Sequence, residues 1–345
     1  MSETHPKVTV VVPLYNTQRY IAETLRSIAA QSFTDYEVVV VNDASTDAGP
    51  SIVEAAMQHD ARIRMVTQEN RGLAGARNTG IRHARGTYVA FLDADDLWHP
   101  EKLAMHAAHL DAKTDVGVSF SASRFIDDDG NDMGLGQRPQ LAGITAEDVF
   151  CRNPVGNGSA PVIRRTLLDD IEFTIDAVEG ARSCWFDESF RQSEDIECWS
   201  RIASLTNWRF EGLAQELTLY RVSTGGLSAN VERQFETWCR MRDKINAINP
   251  ALVARCGNRS EAYQHRYLAR RLAVGGDGRK ALSTALKSLR LYPRILVEEP
   301  ARTAATLGLS AVLAVLPRGA RATALRKLVG GQNVIGHAQM GVPAR

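Results

Sequence analysis

The sequence has few of the features that define disulfide-rich, zinc-binding or nucleic-acid-binding proteins. It contains five cysteines, an odd number, with no C-x-x-C pair among them. This usage is typical of reduced thiols in a cytoplasm and argues against a disulfide framework or a zinc site. The formal net charge is +1 over 345 residues, so no general attraction to nucleic acid is expected.

Long hydrophobic runs are also missing. The apolar run in MSETHPKVTVVVPLYN is too short for a signal peptide and stops at Pro13, so we expect a cytoplasmic protein. A second apolar stretch, residues 303–317, has fifteen residues, whereas a membrane span needs about twenty. A basic amphipathic segment follows it. Two interpretations of 303–328 stay open: a buried terminal helix, or a helix lying on the membrane surface at the inner face of the plasma membrane.

The common nucleotide and metal motifs are absent as well. PLYNTQRY, which follows the first strand pattern, has no glycine, so the dinucleotide fingerprint G-x-G-x-x-G is missing. The chain also lacks a G-x-x-x-x-G-K-[ST] loop and an H-E-x-x-H zinc motif. His106 and His109 lie one turn apart on a predicted helix, where we expect surface histidines rather than metal ligands.

The first 120 residues alternate short apolar runs with helical patterns. Strands are predicted at 7–13, 36–45, 62–68 and 87–96, and helices at 17–31, 51–60, 73–85 and 100–110. This alternation predicts a Rossmann-like α/β fold with a mostly parallel sheet flanked by helices. Pro100 is expected to open the fourth helix.

Residues 113–230 are less regular. DDDGND is interpreted as a solvated turn, and strands are predicted at 159–165 and 216–223. A helix over 193–205 is expected to begin with a Ser193 cap. From residue 231 onwards the pattern is helical.

Polar segments follow four of the predicted strands: PLYN, NDAS, QENRG and DADD. Ligands of parallel sheets bind at the carboxyl ends of the strands, so these segments are expected to converge. The segment FLDADDLW brings together Asp93, Asp95 and Asp96. By itself this cluster is compatible with an acidic turn near a helix N-terminus or with a divalent metal site.

Five segments in order carry a family resemblance: VVPLYN, VVVVNDASTD, QENRGLAGARNTGIRHARGTYVAFLDADD, FDESFRQSEDIECWSRI and LYRVSTGGLS. Together they resemble the family 2 glycosyltransferases of the GT-A fold, such as bacterial surface-polysaccharide enzymes. The resemblance covers roughly residues 6–230, about two thirds of the chain. It implies a nucleotide-sugar glycosyltransferase domain over 1–230 and a helical C-terminal region over 231–345.

For the nucleotide, the resemblance implies contacts at Pro13, Tyr15 and Asn16. Asp43 would accept a hydrogen bond from the base. Arg77 resembles an arginine that approaches the nucleotide, although a charge on the surface of a helix is an equal alternative.

For the diphosphate, the resemblance implies Mg²⁺ or Mn²⁺ held by a D-x-D motif. Asp95 would be the direct metal ligand, and Asp93 would face the metal or the ribose of the donor. Two-residue spacing places both side chains on one side of an extended segment. Asp96 is expected to cap the next helix, and Arg221 to face phosphate.

For the acceptor, the resemblance assigns Asp195 as general base and Glu194 as a residue that holds the acceptor. The alternative is that both acids only complement a helix dipole. In many relatives a histidine lies near the diphosphate where this chain has Ser223. A Q-x-x-R-W motif is missing, which favours addition of single sugars over processive synthesis.

The expected function is metal-dependent, inverting transfer of one sugar from a nucleotide diphosphate sugar, with UDP-sugars preferred, to a hydroxyl of a lipid-linked or polysaccharide glycan precursor. One alternative is a non-catalytic carbohydrate-binding or scaffold protein on the same fold. Another is a sugar-nucleotide nucleotidyltransferase, but that enzyme needs a glycine-rich basic loop after the first strand.

Overall fold

The computed structural model describes residues 5–177, 180–222, 231–317 and 321. These residues form two compact units. The first comprises the residues up to Thr145 together with Pro154–Arg221, and the second comprises Ala146–Asn153 together with the described residues after Arg221. The first unit is mixed α/β and the second is helical, as the sequence predicts.

All strands among the described residues belong to the first unit. They are β1 (Val8–Leu14), β2 (Tyr36–Asn42), β3 (Ile63–Thr67), β4 (Tyr88–Phe91), β5 (Leu97–Trp98), β6 (Val116–Ile126), β7 (Asp132–Gln137), β8 (Val162–Arg164), β9 (Phe173–Ala177), β10 (Gly180–Cys184) and β11 (Arg209–Arg221). Its helices are α1 (Ile21–Ala29), α2 (Gly49–Met57), α3 (Gly72–His83), α4 (Lys102–Ala112), α6 (Arg165–Ile171) and α7 (Glu194–Leu205).

Nine strands of the described residues form the main sheet, in the order β3-β2-β1-β4-β8-β6-β11-β5 with β7 paired to β6. The pairs β1–β2, β1–β4, β2–β3 and β6–β11 are parallel. Every residue of β1 and β2 is buried, because their β-branched runs pack against helices on both faces of the sheet. The parallel α/β core predicted from the first 120 residues is confirmed.

Two details of the element ends differ from the sequence predictions. Pro100 precedes α4 and does not open it, since Glu101 is the N-cap and Lys102 is the first helical residue. Ser193 stands at the N-cap of α7 as predicted, but its φ is +57° and its side chain makes no capping hydrogen bond. The left-handed backbone at Ser193 is a conformation that few non-glycine residues adopt.

Helix α3 lies unusually close to β1. A Cβ atom at Gly80 would overlap Val11 Cγ1, a side chain of the central strand. Only glycine permits this approach, which brings the preceding turn of α3, including Arg77, against the carboxyl end of the sheet.

The second unit consists of α5 (Ala146–Arg152), α8 (Val231–Ile248), α9 (Pro250–Val274), α10 (Gly278–Leu291), α11 (Ile295–Glu298) and α12 (Pro300–Val315). Leu313 of α12 packs with Ala273 and Ala281 in a small apolar core. Within the described ranges, no helix is both long and apolar enough to cross a bilayer. All five cysteines are free thiols, as predicted.

Candidate active site

The acidic segment after β4 forms a tight turn rather than the extended segment expected from the sequence. The strand ends at Phe91, and the amide of Asp96 donates to the carbonyl of Asp93 at 3.0 Å. Thr24 of α1 supports the turn from one side, because its hydroxyl contacts the carbonyl oxygens of Ala94 and Asp96 at 2.9 and 3.0 Å. The turn is therefore held by the fold before any ligand binds.

Asp96 does not cap α4, so that expectation is wrong. Its side chain is buried and accepts from Ser159 Oγ at 2.6 Å and from the amide of Arg221 at 2.8 Å. Ser159 Oγ also accepts from the amide of Asp93 at 3.0 Å. Asp96 is thus turned inward, and Ser159 ties both ends of the turn to the segment before β8.

Arg77 bridges two acids that are far apart in the sequence. Its Nη2 donates to Asp93 Oδ1 at 2.8 Å and its Nη1 donates to Glu194 Oε1 at 2.7 Å. The Arg77 side chain is 2% exposed, which excludes the surface-charge alternative. Its Nε has no partner among the described residues. The bridge brings the D-x-D turn and the start of α7 into one cluster, whereas direct contact of Arg77 with a nucleotide stays a prediction.

Burial opposes ionisation of the carboxyl groups in this cluster. Burial, reinforced by Asp93, raises the pKa of Asp95 to about 6. Burial raises the pKa of Glu194 to about 7, with Arg77 opposing the shift and Asp195 adding to it. The pKa of Asp195 is also raised by burial, again against Arg77. Such shifts mark groups whose charge a bound cation or substrate would compensate.

The carboxylates fit a divalent cation that shares its ligands with a substrate. Asp93, with a side chain 21% exposed, and the half-buried Asp95 offer the hard oxygen donors that Mg²⁺ and Mn²⁺ prefer. In the part of the chain that the structure describes, no three Asp, Glu, His or Cys side chains could hold a metal ion by themselves. An ion at this turn would therefore need further oxygen ligands from diphosphate or water.

The predicted nucleotide end lies at the carboxyl ends of β1 and β2. Asp43 is buried, and its carboxylate accepts from Gln68 Nε2 and from the amides of Arg71 and Gly72 at 2.7, 2.8 and 2.9 Å. These contacts fix Asp43 against the start of α3. Its bond to a nucleotide base stays a prediction.

The other three predicted nucleotide contacts lie at the end of β1 and in the turn that follows it. Pro13 is a buried residue within β1, while the Tyr15 side chain is exposed to 51%. Asn16 has a φ of +51°, and its Oδ1 accepts from the amide of Thr46 at 2.8 Å. Tyr15 and Asn16 are thus both exposed to a ligand, whereas Pro13 is covered by the sheet.

Arg221 is committed to the protein in this structure. Its side chain is 1% exposed, and its three nitrogens donate to the carbonyls of Asp95 and Asp127 and to Glu23 Oε2 at 2.7, 2.8 and 2.9 Å. It holds the D-x-D turn from the side of β11. Phosphate contact by Arg221 stays a prediction, and Ser223 lies outside the described residues.

Sequence reasoning missed several residues of this cluster. Tyr220, next to Arg221 on β11, has its pKa raised by burial and then by the carboxylates of Asp96, Asp95, Asp93 and Asp195, so it senses both halves of the cluster. Gly158 packs against Arg77 and Asp93, because a Cβ there would overlap Arg77 Nη2. The polar, glycine-containing NGS at 157–159 was the available signal.

The expectation for the two histidines of α4 is wrong. His106 is fully buried, and the His109 side chain is 9% exposed. Their ring nitrogens both contact Ser119 Oγ, at 2.7 and 2.8 Å. The amphipathic pattern of α4 did not separate its buried face from its exposed face, because Lys102 and His106 are polar residues on the buried face.

Comparison with known proteins identifies the family. Residues 9–171 match the profile described as glycosyl transferase family 2. These residues, slightly under half of the chain, form a family 2 glycosyltransferase domain. It is 27% identical to TuaG of Bacillus subtilis (strain 168), a glycosyltransferase named for teichuronic acid biosynthesis, over 73% of this chain and 100% of that protein. Other curated relatives match over shorter stretches, and the chain spans 26% of the length of one and 36% of another.

Two solved structures that contain nucleotide sugars share the fold. Staphylococcus aureus TarS 1–349, in complex with UDP-GlcNAc, superposes with a TM-score of 0.58 at 21% identity, over 93% of this chain and 92% of that one. The mannosyltransferase PcManGT of Pyrobaculum calidifontis, in complex with GDP-Man and Mn²⁺, gives 0.56 at 23% identity, over 96% and 89%. The mixed α/β unit thus has the GT-A fold.

Proposed function

We propose that this protein transfers a single sugar from a nucleotide diphosphate sugar to a hydroxyl of a glycan precursor, with inversion and with Mg²⁺ or Mn²⁺. The observation that carries the proposal is the Arg77 bridge between Asp93 and Glu194. A scaffold or binding protein has no need to join the donor-side acids to the acceptor-side acids through a buried guanidinium. A nucleotidyltransferase is disfavoured by the missing glycine-rich loop.

The donor would occupy the carboxyl edge of the sheet. Pro13, Tyr15, Asn16 and Asp43 would bind the nucleoside, Arg77 would approach the donor, and Arg221 would hold the turn from beneath the diphosphate. Asp95, with Asp93, would hold the cation, which neutralises charge on the leaving diphosphate. The solved relatives bind UDP-GlcNAc or GDP-Man, which supports this class of donor, with a UDP-sugar as the first choice.

The acceptor would approach from the start of α7. Asp195 would remove the proton of the attacking hydroxyl as the new bond to the anomeric carbon forms, on the face opposite the leaving group. Glu194, oriented by Arg77 Nη1, would hold the acceptor. A raised pKa makes Asp195 a stronger base than an ordinary aspartate, while the Arg77 charge limits that rise.

The acceptor class follows from family relatives rather than from a pocket. TuaG is named for teichuronic acid biosynthesis, which supports a polysaccharide or lipid-linked acceptor. Such an acceptor is compatible with a cytoplasmic protein that binds the inner face of the membrane through 303–328. In this proposal residues 1–230 catalyse transfer, and 231–345 form the helical extension.

The proposal is tested by separating donor binding from transfer. Asp195→Asn keeps the shape of the side chain and removes its basicity, so kcat should fall roughly a hundredfold or more while donor affinity by calorimetry changes little. Asp169→Asn, an exposed acid on α6, is the matched control. Binding of nucleotide sugars without any transfer or hydrolysis by the wild type would favour the non-catalytic alternative.

A further inference from the structure

Lys102 lies beneath the acidic turn with all of its donor directions occupied. The residue is fully buried on α4. Its Nζ donates to the carbonyl of Ala160 at 2.8 Å and to Thr218 Oγ1 at 3.1 Å, and lies 3.5 Å from His106 Nε2. An ammonium group has three N–H donors, and this site supplies three acceptors.

The partners of Lys102 lead directly to the proposed metal acids. Ala160 follows Ser159, whose hydroxyl binds Asp96 and the amide of Asp93. The carbonyl of Ser159 accepts from Trp98 Nε1 at 3.0 Å and from Thr218 Oγ1 at 3.4 Å. Lys102 and Thr218 thus hold the backbone on which the Ser159 hydroxyl is mounted.

A chain of side chains fixes Lys102 from the other side. His106 Nδ1 contacts Ser119 Oγ at 2.7 Å, and the same hydroxyl contacts His109 Nδ1 at 2.8 Å. His109 Nε2 lies 3.2 Å from Glu211 Oε1, and the other carboxylate oxygen accepts from Arg209 at 2.8 Å. This chain of side-chain contacts runs from Lys102 beside the acidic turn, through α4 and β6, to the ion pair of Glu211 and Arg209 on β11.

Each contact in this chain of side chains can be assigned one hydrogen-bond donor and one acceptor. An ammonium on Lys102 donates to His106 Nε2, so His106 Nδ1–H donates to Ser119, Ser119 donates to His109, and His109 Nε2–H donates to Glu211. Burial lowers the pKa of His106, which agrees with a neutral imidazole. Burial also lowers the pKa of Lys102, against Asp96. A neutral amine would accept from His106 instead and would still donate to Ala160 and Thr218.

We propose that Lys102 is a positioning residue for the acidic turn, and that the chain from His106 to Glu211 holds Lys102 in place. A buried lysine costs folding free energy that a methionine would not. Lys102 contacts the Ser159–Ala160 segment, which orients Asp93 and Asp96. A role in positioning these acids would explain why a costly buried lysine is present. The part of this inference that concerns metal rests on the proposed function.

The first test measures the turn without any ligand. In Lys102→Met, the Asp93 amide should exchange with deuterium at least tenfold faster, because its acceptor, Ser159 Oγ, is no longer fixed. Ser119→Ala removes the hydroxyl that contacts His106, the neighbour of Lys102, and should give a smaller increase. Ser121→Ala is the matched control, since Ser121 is buried on the same strand and its hydroxyl has no partner among the described residues.

The second test measures Mn²⁺ binding by calorimetry in the presence of UDP. Lys102→Met should weaken Mn²⁺ at least tenfold, and excess Mn²⁺ should restore most of kcat while the donor KM at saturating Mn²⁺ stays within threefold. A general loss of stability would not produce this split. Unchanged exchange at Asp93, or Mn²⁺ affinity within twofold of the wild type, overturns the positioning role.

Two further outcomes are decisive. If Lys102→Met does not fold, Thr218→Val and Ser119→Ala replace it, and unchanged exchange in both overturns the proposal. If the wild type transfers sugar at full rate in EDTA, the metal part of the proposed function is wrong. The exchange rates at Asp93 then decide the positioning role by themselves.

Discussion

At the scale of single residues, the acidic turn is a site of stored electrostatic free energy. The raised pKa values of Asp95 and Glu194 mean that ionisation at neutral pH is opposed by burial. An acid whose folded pKa exceeds its unfolded value near 4 stabilises the fold below that value, and this contribution is lost as pH rises through the folded pKa. The arrangement is costly for stability, and a bound cation would offset that cost.

Asp95→Asn should therefore raise the stability of the ligand-free protein while reducing transfer by orders of magnitude. A shift of two pKa units corresponds to about 3 kcal/mol, part of which relaxation removes, so we expect Tm at pH 8 to rise by a few degrees. The Asp95 contribution should appear as pH falls from about 7 to 4, so the gain in Tm of Asp95→Asn over the wild type should shrink across that range. A lower Tm for the variant at pH 8 would contradict the electrostatic account.

Arg77 should control the pH dependence of transfer. Its charge lowers the pKa values of Glu194 and Asp195, so removing the charge raises them, and a base must be deprotonated to act. In Arg77→Met the acidic limb of the kcat profile should move to higher pH. Arg77→Lys keeps the positive charge but cannot contact both acids through two separate nitrogens. The acidic limb of its kcat profile should therefore move less than that of Arg77→Met. If the acidic limb of the kcat profile does not shift in Arg77→Met, then Arg77 does not control the pKa of the catalytic base.

At the scale of elements, the site depends on how closely α3 approaches β1. Gly80 allows that approach, and Arg77 lies one turn earlier on the same helix. The helix position therefore sets where the guanidinium lies between Asp93 and Glu194. Packing of this kind is sensitive to a single methyl group.

Gly80→Ala should destabilise the fold although alanine is the better helix former. Overpacking against Val11 costs about 1–3 kcal/mol, whereas the gain in helix propensity is about 1 kcal/mol. We expect a lower Tm and reduced kcat, with partial recovery in the double variant with Val11→Ala. Gly308→Ala on α12 is the control, since a Cβ there meets no atom within 4 Å and should leave Tm equal or higher.

At the scale of the whole molecule, helix α12 of the second unit buries polar side chains and exposes apolar ones. The α12 residues Thr303, Thr306 and Ser310 are buried, while Val312 and Val315 are 40% and 82% exposed. Three hydroxyl side chains of α12 thus face inward, while two valines face outward. Leu313 packs into the unit, so the helix is partly a core helix, and the prediction that 303–328 binds a membrane surface depends on its outer face.

Val312→Glu with Val315→Glu should abolish binding to anionic liposomes in a sedimentation assay, while donor hydrolysis in solution stays unchanged. Carboxylates on this face are repelled by anionic lipid and are costly to bury. The control is Leu205→Glu, which replaces another exposed apolar residue in the first unit. Equal liposome binding by the variant and the wild type, or no binding by either, would favour the buried-helix alternative.

The sequence by itself determined the parallel α/β core, the order of its elements and the segments at its carboxyl edge. β-branched runs alternate with helical patterns over short spans, and the ends of parallel strands share one edge of a sheet, so local pattern was sufficient. The family resemblance supplied roles for Asp195 and Glu194 but no geometry.

Only the tertiary structure decided which polar residues are buried and what they contact. Arg77 joins acids that are 16 and 117 residues away in the sequence. Ser159 reaches Asp96 across 63 residues, and His106 is buried where its helix pattern indicated a surface. Such contacts depend on which distant segments the fold brings together. A buried polar group is stable only when those partners are present, and a local pattern does not contain them.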